Sequence, residues 1–385
     1  MARRAVIAPG VLKGYLLEEI VAYLIKNAGY RLITDPQTDP HDLALLGNGL
    51  QVRGRGGFHQ ADVLGELSWA PAFGNPIRLF IEAKWRRNGS GRVGIPEVRH
   101  AVGILQDVNQ ALVTVRANPV VAGQGLDGDD VLGDGRSFCY TYRYALCSAV
   151  GFTSGAQAYA LAHQVALLDL SHEDYHELRT AVEVVGDEMQ SYIRWVDSRR
   201  REFSAGARKS LLKTIRATLR QALWQQGSDD LDPNLRRILN PLIVATRSIG
   251  ELFVGVSATG FVILLKADHP DRMIRHMRAT TDPETTIHYR QREDASFQWQ
   301  ISVGHDEDKI CRLSFVLPDA MLRALDEKHA GSRRLEALNI KEQHFSRITV
   351  YRMTDEKSMI CSLKIDGQWL AQARAELDQR QINGR

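Results

Sequence analysis

The chain of 385 residues has few of the features that mark a metal-stapled, secreted or membrane-spanning protein. Its four cysteines form no CxxC pair, which excludes the common zinc modules and gives no sign of a disulfide framework. The longest apolar runs, such as FVILL at 261–265, are far too short to span a bilayer. The opening MARRAVIAPG lacks the apolar core of a signal peptide. These absences predict a cytoplasmic protein without membrane association.

Neither sign of charge dominates the chain, because 49 basic residues stand against 46 acidic ones, for a net charge of +3. A polybasic binder is therefore excluded, and any nucleic-acid signal has to be local. Basic charge is concentrated in 194–220, where a predicted helix repeats Lys209, Lys213, Arg216 and Arg220 at helical spacing opposite an apolar face. A solvated helix face and a phosphate-binding face explain this pattern equally well.

The most informative stretch runs from 54 to 85 and contains two strand-like runs. Asp62 stands at the head of ADVLGEL, and Glu82 and Lys84 lie within IRLFIEAKW. Side chains two apart in a strand point to one face, so Glu82 and Lys84 project side by side while Ala83 faces the opposite layer. Burying both charges is costly, and a divalent metal with substrate phosphates would compensate. The turn-rich SWAPAFGNP predicts a hairpin that brings Asp62 next to Glu82.

This pattern of Asp, 19 residues, then Glu-x-Lys resembles the core of the PD-(D/E)xK nucleases, in the form seen in Mrr-type restriction endonucleases. Three flanking segments strengthen the resemblance. GRGGFHQADV is similar to the Gly-rich lead-in before the family's Asp, and GYLLEEIVAYLIKNAGYRLI to its opening helix. GFTSGAQAYALAHQVALLDL is similar to its closing strand-helix-strand segment. The resemblance covers roughly residues 11 to 170.

The resemblance implies a metal-dependent nuclease and assigns roles within it. Asp62 and Glu82 would hold Mg²⁺, for which Mn²⁺ is an expected substitute, together with the backbone carbonyl of Ala83. Lys84 would orient the attacking water or stabilise the charge on the phosphate. Glu18 would support a second ion or a metal-bound water.

The helix that carries Glu18 is predicted at 11–28 from an apolar stripe at helical spacing. Glu18 lies beside this stripe, and Glu19 is expected to be turned farther round. The residues alone favour two solvated carboxylates, whereas the resemblance turns Glu18 towards the metal site.

Two loops beside the predicted site carry further candidate residues. GRGGFHQ is explained equally well as a flexible hairpin turn and as a loop that approaches phosphate, and Gln60 shares the face of Asp62 if the strand starts early. The basic loop WRRNGSGRVG follows Lys84 and favours contact with the DNA backbone. The predicted nucleic-acid-binding residues are Arg55, Gln60, Arg86, Arg87, Arg92, Lys209, Lys213 and Arg216.

The predicted fold is an α/β restriction-endonuclease-like core, with a mixed sheet flanked by helices, followed by a helical region and a β-rich α+β module. The predicted domains are the nuclease at 1–172, a basic helical region at 173–250 and the β-rich domain at 251–385. We expect this last domain, antiparallel or sandwich-like, to serve recognition, regulation or oligomerisation through a protein partner or a second copy.

The predicted function is DNA cleavage by a restriction or anti-phage defence effector. Two alternatives remain open. The enzyme could act on RNA or on DNA ends, which no residue above distinguishes. The chain could also be a DNA-binding subunit that stays silent until a partner acts on it.

Overall fold

A computed structural model gives the fold of most of the chain. It describes residues 8–46, 49–67, 75–86, 91–110, 140–199, 205–224, 233–249, 252–260, 262–291, 297–304, 310–317, 321, 330–354 and 357–383.

The first part of the chain is a mixed α/β unit. Its elements are α1 (Pro9–Asn27), β1 (Tyr30–Leu32), β2 (Leu43–Leu46), β3 (Gly49–Arg53), β4 (Phe58–Gln60), β5 (Val63–Leu67), β6 (Ile77–Lys84), α2 (Ile95–Gln110), β7 (Thr141–Ser148), α3 (Ser154–Ala162) and β8 (Ala166–Asp169). The main sheet has the order β1-β5-β6-β7-β8, in which β1, β5 and β6 pair antiparallel and β6, β7 and β8 pair parallel. The strands β2, β3 and β4 form a separate antiparallel sheet. The predicted mixed sheet flanked by helices is confirmed at this level.

The central strand β6 is covered on both faces. Leu79 and Ile81 pack in a cluster with α1, whereas Phe80 packs with α2 in a second cluster. A nearly continuous apolar run is what such a strand requires. Burial decreases towards its C-terminal end, where Glu82 and Lys84 are located.

Three helices follow the sheet, of which the first two pack on α1 and the third packs on those two. They are α4 (His176–Arg199), α5 (Ala205–Trp224) and α6 (Pro233–Ile249). Leu178 of α4, Leu219 of α5 and Leu239 of α6 belong to the same buried cluster as α1, so this cluster runs across the predicted domain boundary at 172. No helix in the described part of the chain has the length and apolar composition needed to cross a membrane.

The last part is a closed seven-stranded barrel. Its elements are β9 (Leu252–Ser257), β10 (Val262–Ala267), α7 (Pro270–Ala279), β11 (Glu284–Gln291), β12 (Phe297–Val303), β13 (Cys311–Phe315), α8 (Ala330–Phe345), β14 (Arg347–Thr354), β15 (Lys357–Ile365) and α9 (Gly367–Asn383). The order around the barrel is β10-β13-β12-β11-β15-β14-β9. A barrel with an odd number of strands cannot close if every neighbouring pair is antiparallel. This barrel closes because one pair, β11 with β15, is parallel. The module is thus β-rich with helices, as predicted, but it is a barrel rather than a sandwich.

Candidate active site

The ends of β5 and β6 meet at Asp62, which lies immediately before β5. The β5–β6 register pairs Val63 with Ile81. The backbone amide of Asp62 donates to the carbonyl of Ile81 at 3.2 Å, and the amide of Ala83 donates to Asp62 Oδ2 at 2.8 Å. The hairpin therefore fixes the Asp62 carboxylate against the backbone between Glu82 and Lys84.

Glu82 is held through both of its carboxylate oxygens. Lys84 Nζ contacts Oε1, and the hydroxyl of Tyr144 donates to Oε2 at 2.9 Å. Tyr144 is buried on β7, where it stacks on Phe80 with ring centroids 4.9 Å apart. Burial, and to a smaller extent the charge of Glu82, raises the pKa of Tyr144, so its hydroxyl keeps its proton and remains a donor. Sequence reasoning missed this residue, although the Tyr-x-Tyr spacing of β7 pointed to an aromatic face.

Glu18 lies on α1 and is half-buried, with its Oε2 3.0 Å from Arg216 Nη2 of α5. Burial raises its pKa to about 8; Arg216 opposes the rise, whereas the negative charge of Asp62 adds to it. The influence of Asp62 places Glu18 within electrostatic reach of the β5–β6 site. Burial thus favours the protonated form of Glu18, whereas the ion pair with Arg216 favours the charged form.

Glu19 is more deeply buried than Glu18, with 1% of its surface exposed. Its Oε1 accepts from Arg216 Nε at 2.7 Å and from Arg220 Nη2 at 2.8 Å, and Arg220 Nε contacts Oε2. The expectation that Glu19 is turned farther from the core was wrong, because α5 covers that side of α1. The signal for this contact was the spacing of Arg216 and Arg220, one helical turn apart.

The donor atoms at the site suit a hard divalent cation. Burial raises the pKa of Asp62, the Ala83 amide opposes that rise, and the Glu82 charge adds to it. A nearby cation would relieve both unfavourable effects. Among the described residues, Asp62 Oδ1 accepts no hydrogen bond. Those residues contain no group of three or more His, Cys, Asp or Glu side chains that could hold a metal ion. The oxygen donors of this strand end are the carboxylates of Asp62 and Glu82 and the backbone carbonyl of Ala83.

The Gly-rich lead-in is anchored to α2 rather than free. Gly56 N donates to Asp107 Oδ1 at 2.8 Å, and His59 Nε2 lies 2.7 Å from Asp107 Oδ2. Arg55 donates its backbone amide to the carbonyl of Asp107 at 3.2 Å and leaves its side chain exposed. Gln60 is exposed and ends β4 of the separate sheet, so the early strand start that would align it with Asp62 does not occur.

The remaining predicted nucleic-acid contacts have different surroundings. Arg86 contacts Glu97 at the start of α2 and donates from Nη1 to the carbonyl of Arg92 at 3.2 Å. Lys213 is exposed, whereas Arg216 faces Glu18 and Glu19. Arg87 and the side chain of Lys209 lie outside the described residues. A role for these residues in DNA binding stays a prediction.

Comparison of the chain with protein-family models, with curated proteins and with solved structures found no match to any of them. The resemblance to PD-(D/E)xK nucleases therefore stays a prediction from the motif and its flanks. The function has to be inferred from the carboxylates and the lysine at the ends of β5 and β6.

Proposed function

We propose that the chain is a metal-dependent DNA endonuclease with its active site at the ends of β5 and β6. The observation that carries this proposal is the 2.8 Å hydrogen bond from the Ala83 amide to Asp62 Oδ2. It holds one carboxylate beside the end of β6 that bears Glu82 and Lys84. Two carboxylates and an ammonium group at one strand end suit phosphodiester hydrolysis, in which negative charge develops on the phosphate.

Mg²⁺, or Mn²⁺ in its place, would be held by Asp62, Glu82 and the carbonyl of Ala83. Such an ion would lower the pKa of a bound water molecule and would offset the negative charge of the phosphate. Asp62 can bind it through Oδ1, while Oδ2 stays fixed by the backbone. Glu18 would support a second ion or hold a water molecule bound to the ion.

Lys84 and Tyr144 would act on Glu82 and on the substrate. Without substrate, the Lys84 ammonium contacts Glu82 Oε1. A bound phosphate would be a second anion beside Lys84. The ammonium group could then donate hydrogen bonds to both the carboxylate and the phosphate. Tyr144 keeps hold of the other oxygen and fixes the carboxylate plane, which makes it a positioning residue.

The partners of Glu18 and Glu82 favour a second candidate function, a DNA-binding subunit that is silent when alone. Arg216 Nη2 is 3.0 Å from Glu18, and both oxygens of Glu82 already have protein partners. A site whose carboxyl groups already have partners in the same chain does not need a metal ion for stability. In this alternative a partner would have to shift α5 before catalysis could begin.

Incubation of the purified chain with supercoiled plasmid separates the two functions. The endonuclease proposal expects nicking or cutting with Mg²⁺ or Mn²⁺, none in EDTA, and none from Lys84→Ala under any condition. Cleavage that persists in EDTA would exclude the metal-dependent mechanism. Binding without cleavage under all metal conditions would favour the silent subunit, and parallel assays with RNA and with linear DNA test those substrates.

A further inference from the structure

A cleft of about 490 Å³ opens where β6 ends. Trp85 and Arg86, which directly follow Lys84, line it on the strand side, and Arg179 and Val184 line it on the side of α4. Its volume lies in the range of sites that hold a ligand the size of a nucleotide, about 300–1,000 Å³.

The cleft adjoins the proposed active site through the backbone. The amide of Ala149, a lining residue, donates to the carbonyl of Lys84 at 3.3 Å. This bond places the cleft next to the strand end that carries Lys84. None of the carboxylates proposed as metal ligands lines the cleft.

The lining has an excess of positive charge. Arg86, Arg92 and Arg179 line it, against one carboxylate, that of Glu183. The charge of Arg86 is offset by Glu97, so Arg92 and Arg179 carry the excess. Glu183 is already neutralised, because Lys13 Nζ contacts it from α1. The cleft thus attracts an anion.

Arg179 is the cation best placed to bind that anion. Its Nη1 donates to the carbonyls of Leu170 and His172, at 2.6 Å each, which fixes the guanidinium group in place. Among the described residues it forms no ion pair, and its Nε and Nη2 make no hydrogen bond. Burial lowers its pKa, and the negative charges of Glu173 and Asp169 oppose this only in part. A half-buried guanidinium with free donors is stabilised by a phosphate, which it can bind through two parallel hydrogen bonds.

We propose that this cleft binds a backbone phosphate of the DNA strand that leaves the active site, with Arg179 as its principal ligand and Arg92 at the rim. The assignment of the ligand to DNA rests on the proposed function. Inorganic phosphate and free nucleotides share the same chemistry, so the experiment has to distinguish them from a polynucleotide.

Val184 offers a test that leaves Arg179 in place. It lines the cleft from α4 and is 51% exposed, so either a negative or a positive side chain is tolerated there. Val184→Glu should weaken binding of a labelled DNA duplex, measured by fluorescence anisotropy in EDTA, by about five-fold at low salt, and Val184→Lys should leave it equal or tighter. The matched control is Val244→Glu on α6, at a 59% exposed position that does not line the cleft.

A second pair of variants measures the phosphate contact directly. Arg179→Gln should reduce the slope of log affinity against log salt by about one unit, whereas Arg194→Gln, about four turns farther along α4, should not. Inorganic phosphate and a mononucleotide, each added as a competitor, should displace the duplex only at far higher concentration than an unlabelled oligonucleotide. Displacement at equal concentrations would show a small-molecule site and overturn the proposal.

The outcomes separate this proposal from the proposed function. Equal duplex affinity for Val184→Glu, Val184→Lys and wild type overturns the cleft proposal, whatever the effect of Arg179→Gln on folding. If wild type also cuts plasmid in that case, the nuclease function stands. If wild type never cuts but the Val184 variants differ as expected, the cleft still binds a DNA phosphate, whereas the nuclease function and the role of the cleft for a leaving strand both fail.

Discussion

Arg216 of α5 lies between two neighbouring carboxylates of α1, with Nη2 3.0 Å from Glu18 and Nε 2.7 Å from Glu19. The basic helix therefore directs part of its charge inward, to carboxylates that α1 would otherwise bury without a partner. A helix face that has the composition of a phosphate-binding surface here contributes to the core beside the proposed active site.

This arrangement predicts a stability effect at Arg216. Arg216→Gln should lower the free energy of unfolding by about 1–3 kcal/mol, because Glu19 stays buried with one of its two arginines missing. Urea denaturation measures the change. Lys213→Gln, at an exposed position of the same helix, is the control and should change the free energy by less than about 0.5 kcal/mol. Unchanged stability in Arg216→Gln, together with a shallower salt dependence of DNA binding, would instead favour the phosphate role.

The raised pKa of Glu18 predicts how stability depends on pH. The native protein holds the Glu18 proton up to about pH 8, whereas the unfolded chain releases it near the ordinary carboxyl pKa of 4.5. The native state thus binds more protons between these values, and this residue makes stability fall as pH rises through that window. Glu18→Gln should therefore melt about 1–3 °C above wild type at pH 9 and close to it at pH 4. A difference in melting temperature that stays constant across this range would show that folding does not change the pKa of Glu18.

Tyr144 is expected to act through Glu82. Tyr144→Phe keeps the ring stacked on Phe80 and removes only the hydroxyl that donates to Glu82 Oε2. The Mg²⁺ concentration needed for half-maximal cleavage should shift by about ten-fold, as is typical when a partner of a metal ligand is lost. Tyr142→Phe removes a buried hydroxyl bonded to Arg78 instead, so it should lose stability without that shift. Equal metal dependence in both variants would limit Tyr144 to a packing role.

Local patterns predicted the parts of this molecule that local geometry determines. The apolar run of β6 and the two-residue spacing within it were enough to predict that Glu82 and Lys84 share a face, because that alternation is a property of any strand. The end of α1 was also predicted, since Gly29, at a φ of 95°, takes the left-handed conformation that closes a helix.

Contacts between distant segments could not be predicted in the same way. Glu19 meets Arg220 across 201 positions, and Tyr144 meets Glu82 across 62. The first pair depends on the packing of α5 on α1, and the second depends on the register of β7 against β6. Neither arrangement is encoded in one segment alone. Glu19 was misplaced because a helical stripe indicates the main buried face and does not show that a second helix covers another one.

The charges around Lys84 predict that catalysis and folding respond differently to mutation. Asp62 and Glu82 repel each other, as the raised pKa of Asp62 reflects in part, and Lys84 contacts Glu82 and relieves this repulsion. Lys84→Ala should therefore lose cleavage and some stability while still binding DNA. Glu82→Gln removes one of the negative charges, so without metal it should melt at or slightly above the wild-type temperature.

Thermal melting with and without Mg²⁺, paired with plasmid cleavage, tests this difference. A ligand that binds the native state raises its stability by mass action, so wild type should melt higher in Mg²⁺ and Glu82→Gln should lose most of that gain. Both variants should fail to cut, Glu82→Gln because metal binding is weakened and Lys84→Ala because charge on the phosphate is no longer stabilised. Glu66→Gln, on β5 but bound to Arg31 and Arg78 away from the site, is the control and should cut normally. Normal cleavage by both site variants would reduce the stretch from 54 to 85 to an ordinary hairpin, and the nuclease proposal would fail.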